Sequence, residues 1–202
     1  MIEKREWEEW WDAVAPINFR RHESAMNKSH ETNKAITRAV ADVGGSVLDV
    51  GCGTGITYEY IKPIGVKYVG VDFTEKFLVQ ARKLNPEIDV RLGSAFNLPF
   101  QDNSFSTVFC KAVLEHQHPK EYPKIVKEMS RIARNQVIIG FFMAPRGKTS
   151  ILLTEKEGLY ANRYSKKEII DLIKSLKGFR DLNIIEGLGS RRDAVYTITL
   201  EG

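Results

Sequence analysis

The sequence predicts an α/β fold: a parallel sheet covered by helices on both faces and closed by an antiparallel hairpin. Three observations predict it. Short apolar runs alternate with amphipathic helical stretches through most of the chain, the pattern of successive βαβ units. A glycine-rich turn, Gly51-Cys52-Gly53-Thr54-Gly55, follows the first such run. The last two apolar runs are joined only by Gly187 to Asp193, too short for a crossover helix, so that pair must be antiparallel.

The elements follow in order. In residues 1–45, Trp7, Trp10, Trp11 and Val14 share one helical face, and Ala35, Ile36, Ala39, Val40 and Val43 make a second, stopped by Gly44-Gly45. Ser46 to Val50 is the first strand, and a helix-like segment after the glycines stops at Pro63. Val66 to Val71 is the second strand, Glu75 to Leu84 a helix closed by Asn85-Pro86, and Ile88 to Leu92 the third strand. Thr107 to Cys110 is the fourth strand, Ile125, Val126, Met129, Ile132 and Ala133 a helical stripe, and Gln136 to Phe142 the fifth strand. Ile169, Ile170, Ile173 and Leu176 mark a last helix, ended by Gly178, and Phe179 to Glu186 with Ala194 to Leu200 give the hairpin. That is seven strands, with two regions: a helical N-terminal extension or lid over 1–45 and a sheet domain over 46–202.

The chain has 202 residues, 43% of them hydrophobic and 28% charged, enough for one well-formed core. This composition excludes wholesale disorder, a fibre and a disulfide scaffold. Lys and Arg number 30 against 26 Asp and Glu, a net charge of +4, which permits anionic partners without demanding them. Cys52 and Cys110 match no metal or redox spacing, so free buried thiols in a reducing compartment are expected. The opening residues hold no apolar leader core and Val137 to Ala144 is too short to span a bilayer. A soluble cytoplasmic protein, with neither a bound metal nor a membrane, is the expectation.

The glycine turn carries the chemistry. Glycines where a strand ends let main chain approach a ligand closely, and a helix N-terminus behind them would present N–H groups and partial positive charge. A dinucleotide fingerprint needs a third glycine where Ile56 stands, and no Lys-Ser/Thr pair follows for a triphosphate loop. These spacings disfavour a nicotinamide oxidoreductase and exclude an NTPase. Val69-Gly70-Val71-Asp72 ends the second strand. Adjacent parallel strands bring Asp72 to face the glycines, where its carboxylate accepts ribose hydroxyls and Phe73 lies ready for an adenine ring.

Asp49-x-Gly51-x-Gly53-x-Gly55, Gly70-Val71-Asp72, Gly93-Ser94-Ala95-x-x-Leu98-Pro99-Phe100 and Asp102-Asn103-Ser104-Phe105, in that succession, resemble the motifs of class I S-adenosylmethionine-dependent methyltransferases. The likeness is greatest to the type 11 group that includes ubiquinone and menaquinone biosynthesis enzymes, which Val113-Leu114-Glu115-His116 also fits. By motif it covers residues 46–142. The resemblance implies a doubly wound, Rossmann-like sheet of order 3-2-1-4-5-7-6 with strand 7 antiparallel, in agreement with the terminal hairpin.

It also implies roles. Gly51, Cys52, Gly53 and Gly55 would cradle the methionine part of S-adenosylmethionine, and Asp49 would order the loop and face the amino group. Asp72 would hold the ribose and Phe73 flank the adenine, with Ala95 and Phe96 lining it. Lys111 would sit by the reactive end. Where Ser94 stands the family often has an acidic residue; here a hydroxyl or the Ala95 backbone must read the adenine amino group. The implied activity is in-line methyl transfer to an O, N, S or C nucleophile of a small-molecule acceptor, yielding S-adenosylhomocysteine.

Beyond the resemblance, His116, Tyr160 and Tyr164 are candidate general bases, with His22, His30 and His118 behind them. Arg146-Gly147-Lys148, Arg163 and Lys166-Lys167 keep an RNA or protein methyltransferase open as an alternative, and a non-catalytic sensor or partner subunit is a third. The tryptophan helix reads equally as core packing or as a lid; Glu3, Glu6, Glu8, Glu9 and Asp12 on its polar side are the wrong sign for an anionic membrane.

Overall fold

The structure, a computed structural model, describes residues 30–142, 144–150, 153–154, 159–160, 162–189 and 193–201. The tryptophan face at residues 7–14 and Arg20, Arg21 and His22 lie outside the described residues.

Seven strands form one sheet: β1 (Ser46–Val50), β2 (Lys67–Asp72), β3 (Val90–Leu92), β4 (Phe105–Lys111), β5 (Ala133–Phe141), β8 (Phe179–Leu188) and β9 (Asp193–Leu200). A two-stranded ribbon, β6 (Leu153–Thr154) with β7 (Leu159–Tyr160), stands apart. The order is β3-β2-β1-β4-β5-β9-β8. Counting sheet strands along the chain, this is the predicted 3-2-1-4-5-7-6, the Rossmann-like arrangement. β1 pairs in parallel with β2 and β4, whereas β9 runs antiparallel to both β5 and β8.

The helices are α1 (His30–Val43), α2 (Tyr58–Ile61), α3 (Glu75–Leu84), α4 (Tyr122–Ile132) and α5 (Lys166–Lys174). They cover both faces because strand side chains alternate. On one face Leu48, Val50, Val71, Val108 and Cys110 pack with Ile125, Val126 and Met129 of α4 and Ile169 and Ile173 of α5. On the other, Val47, Tyr68, Phe109, Ile138 and Val195 meet Ala35, Ile36 and Val40 of α1 and Leu78 and Ala81 of α3. Ile36 and Val40 are fully buried, so cutting Ile36 to Ala costs about 2–5 kcal/mol. The described end of the predicted extension is thus a layer of the sheet domain.

Three local differences have physical causes. The segment after the glycines is helical for one turn only and becomes a 3-10 turn at Lys62–Ile64, because Pro63 has no N–H to continue the ladder. The third strand begins at Val90 rather than Ile88 because Pro86 and the turn after it, closed by Ile88 N–H donating to Asn85 O at 3.1 Å, take the first residues. The β6–β7 ribbon, two residues to a strand, is too short to leave a period-2 signal in the sequence.

Candidate functional site

The carboxyl ends of β1, β2 and β4 meet where the sheet order reverses, since the chain winds from β1 out to β3 and returns to β4 beside β1. Open α/β sheets place ligands at such a switch point. The glycine turn starts there. Gly51 and Cys52 N–H both donate to Val71 O, at 2.7 and 3.1 Å, and Gly55 N–H donates to Cys52 O at 3.0 Å. Gly51 has φ +77°, and a Cβ on it would collide with Val113 Cγ2, so two constraints require glycine at once. Gly53, at φ +53°, has nothing within 4 Å of where a Cβ would stand. Its main chain is open to an approaching ligand. Among the predictions, the helix N-terminus behind the loop is corrected: α2 starts at Tyr58 and has four residues, too short to carry a useful dipole.

Asp72, at the end of β2, is buried. Its Oδ2 accepts from Gly53 N–H and its Oδ1 from Thr74 N–H, both at 2.9 Å. Burial pushes the carboxyl up to about 6, opposed by hydrogen bonds from Thr74, Gly53 and Phe73. The side chain therefore ties the second strand to the glycine turn.

Asp49 lies one strand over and is also buried. Its Oδ2 accepts from Tyr68 hydroxyl at 2.8 Å. Burial raises its carboxyl to about 7, opposed by the Tyr68 hydrogen bond and by Lys111 and reinforced by Asp72. Lys111, at the end of β4, donates from Nζ to Asn33 Oδ1 at 2.8 Å. Burial lowers its ammonium to about 8, against the pull of Asp49 and Asp193. Thr57 hydroxyl donates to the same Asn33 oxygen at 3.4 Å. Helix α1 thereby reaches both the glycine segment and β4.

The other predicted positions line up around this crevice. Phe73 is half-buried beside Asp72. Ser94 Oγ accepts from Phe96 N–H at 3.4 Å, and Ala95 and Phe96 are partly buried against the core. Cys52 fills the space over Gly70, where a Cβ would stand 2.7 Å from its sulfur. Both cysteines are free and buried. Although Cys110 pairs in register with Val50, its side chain packs on the α4 face and Cys52 on the α3 face, so the sheet separates them.

After β4 the chain turns through Ala112, at φ +57°, into a 3-10 turn over Leu114–His116. Glu115 is wholly buried; its Oε1 accepts from Phe142 N–H at 2.7 Å and its carbonyl from Asn162 N–H at 2.7 Å. Asn162 Nδ2 donates to Gln117 O at 2.6 Å. Tyr164 is corrected as a base. Its hydroxyl is buried and shares its one proton between Leu114 O at 2.6 Å and Gln117 O at 2.7 Å, and burial drives it far above the ordinary tyrosine value. It braces this turn. His116 is partly exposed and stacks on Phe142 with ring centroids 5.6 Å apart. Tyr160 falls in β7, and its side chain lies outside the described residues.

Of the basic clusters, Lys166 pairs with Glu186 at 3.0 Å and Lys167 with Asp171, which neutralises two of the charges that pointed to an anionic polymer. Among the described residues no group of three His, Cys, Asp or Glu could hold a metal, and no helix is long and apolar enough to cross a membrane. Asn33, Thr57 and Tyr68 were not singled out in the sequence. Their places depend on partners 19 to 78 residues away, and no local pattern records that.

Residues 48–141 match the family model of the type 11 methyltransferase domain. That matched region is a domain of the methyltransferase family. The demethylmenaquinone methyltransferase of Renibacterium salmoninarum is 31% identical over 139 residues, covering 67% of this chain and 58% of that protein. That of Paenarthrobacter aurescens is 32% identical over 124 residues, covering 60% and 48%. The chain thus spans about half the length of the curated relatives it matches. The magnesium protoporphyrin IX methyltransferase of Synechocystis, solved with bound S-adenosylmethionine, superposes with a TM-score of 0.74 over the whole of both chains at 16% identity, a likeness of fold.

Proposed function

We propose that this chain moves a methyl group from S-adenosylmethionine to a nucleophilic atom of a small-molecule acceptor. Asp72 supports this most. It is a buried carboxylate at the end of β2, held rigid by Gly53 and Thr74 N–H, facing the glycine turn where a vicinal diol would lie. Gly53 beside it leaves its main chain uncovered. These residues fit an adenosyl amino acid: the diol on Asp72, the base along Phe73, Ala95 and Phe96 with Ser94 at its edge, and the tail over Gly51 to Gly55. The names of the relatives, acting on a demethylmenaquinone or a porphyrin, support a small-molecule acceptor over a polymer.

S-adenosylmethionine, when bound, supplies an electrophilic methyl on a sulfonium whose charge vanishes on transfer. The residues here do the rest. Asp72 fixes rotation of the nucleoside, and the glycine turn fixes the tail, so that an acceptor can be aligned behind the methyl. Alignment of this kind is worth about 7–11 kcal/mol of barrier at best. Asp49 holds negative charge beneath the turn, and Lys111, braced by Asn33, closes it at β4. His116, partly exposed after β4, remains the candidate to take a proton from an acceptor that must lose one.

The test is calorimetry with S-adenosylmethionine, S-adenosylhomocysteine and NAD, followed by transfer of labelled methyl to quinols, phenols, amines, porphyrins and RNA. Binding of the first two but not NAD, with label passing to a small molecule, is expected. Absence of binding to either sulfur nucleoside would overturn the proposal, and transfer to RNA alone would overturn the small-molecule acceptor.

A further inference from the structure

We infer that Asn33 of α1, together with Lys111, binds the carboxylate of the amino-acid tail of S-adenosylmethionine. The inference rests on the function proposed above and adds a residue that no sequence motif contains. Asn33 is 0% exposed, and its amide cannot be turned round. Lys111 Nζ is only a donor, so the amide oxygen must face it, and Thr57 hydroxyl donates to that oxygen as well. The amide nitrogen is therefore fixed on the opposite branch, where it is buried and has no acceptor among the described residues. Such an orphan costs about 1–3 kcal/mol, and a structural asparagine with this much contact has no reason to carry it.

The charges nearby say what the missing acceptor is. Asp49 and Lys111 are both largely buried and feel one another electrostatically, yet they form no ion pair. Instead each is held by a neutral group, Asp49 by Tyr68 and Lys111 by Asn33, with Asp193 a second carboxylate that Lys111 feels. Buried opposite charges normally close up, because separation leaves each desolvated without compensation. Held apart, they complement a zwitterion. An α-ammonium faces Asp49, and an α-carboxylate meets the Lys111 ammonium and the free Asn33 N–H together, a charge-assisted pair of donors for its two oxygens. Both lie beside the glycine turn, on which the tail must rest.

The experiment is calorimetry with three ligands: S-adenosylmethionine, decarboxylated S-adenosylmethionine and 5′-methylthioadenosine, which lacks the tail. Wild-type protein should bind the decarboxylated ligand at least tenfold more weakly than S-adenosylmethionine. Asn33→Asp keeps the acceptor that Lys111 and Thr57 need and replaces the free donor by a carboxylate oxygen. It should lose at least tenfold in S-adenosylmethionine affinity while 5′-methylthioadenosine and the decarboxylated ligand stay within threefold. Equal wild-type affinities for the carboxylated and decarboxylated ligands would overturn the inference even if the variant does not fold. So would a folded Asn33→Asp that binds S-adenosylmethionine normally, or one that loses all three ligands alike. Failure of wild-type protein to bind any of the three would instead overturn the proposed function, and this inference with it.

Discussion

The two walls of the crevice are built by opposite means. The wall from β1 and β2 is made of main chain: Gly51, Cys52 and Gly55 close the turn through backbone hydrogen bonds, and one carboxylate, Asp72, ties it down. The wall after β4 is made of buried side chains: Glu115, Asn162 and Tyr164 hold a turn whose own backbone includes Ala112 at φ +57°. The first wall has to fit one unvarying nucleoside, and its geometry depends on which residues lack a Cβ. The second can be reshaped by exchanging side chains without touching the cofactor, which is the economy expected where the acceptor varies and the donor does not.

The largest effect should come from breaking the first wall. Gly51→Val places a branched side chain at φ +77° against Val113, combining backbone strain with a collision. We expect at least ~3 kcal/mol of lost stability and no measurable binding of S-adenosylhomocysteine, checked by urea denaturation and calorimetry. Normal binding would show that the turn tolerates a Cβ and is no cradle. Next is Asp72→Ala, which removes the acceptor for two backbone N–H groups and for the ribose. Affinity should fall by about 2 kcal/mol, the size of a hydrogen bond to a charged group, and an unchanged Kd in a folded variant would remove Asp72 from the site.

Breaking the second wall should separate stability from cofactor binding. Tyr164→Phe removes the hydroxyl hydrogen bond to Leu114 O and Gln117 O, carbonyls that keep Gln117 N–H and Asn162 Nδ2 as donors, and should cost ~0.5–1.5 kcal/mol in chemical denaturation. S-adenosylhomocysteine affinity should stay within a factor of about two, since Tyr164 holds Leu114 and Gln117 rather than the glycine turn. If affinity falls as far as in Asp72→Ala, the two walls are not independent and the comparison fails.

How much of this was legible follows the same division. The main-chain wall was readable because its requirements are local. Glycines at alternate positions after an apolar run, and an acid ending the next run, can serve few other purposes, and sheet order followed from the family likeness plus a hairpin too short for a crossover. The side-chain wall was not readable. Tyr164 was taken for a possible base because nothing local tells a reactive hydroxyl from one buried against carbonyls 47 and 50 residues away. Asn33 gave no signal because it meets Lys111 across 78 residues. The helix after the glycines was overread at its start, since residues 53–57 are turn and the α-helix begins only at Tyr58.

The smallest expected effect is a pH dependence. Asp49 carries a carboxyl raised from 3.8 to about 7. Between those values the folded protein holds a proton that the unfolded chain has released, so stability falls as pH rises through that window and then levels. Asp49→Asn should flatten the fall, read as the difference in urea midpoint between pH 5 and pH 8. An identical slope in the variant would mean that Asp49 is ionised throughout.

The central claim, that Asp72 and the glycine turn together hold the donor nucleoside, is tested most directly by a crystal structure of the complex with S-adenosylhomocysteine. The account predicts both ribose hydroxyls within hydrogen-bond distance of the Asp72 carboxylate and the tail running over Gly53. A nucleoside bound elsewhere, or one lying in the crevice with its ribose turned away from Asp72, would contradict it.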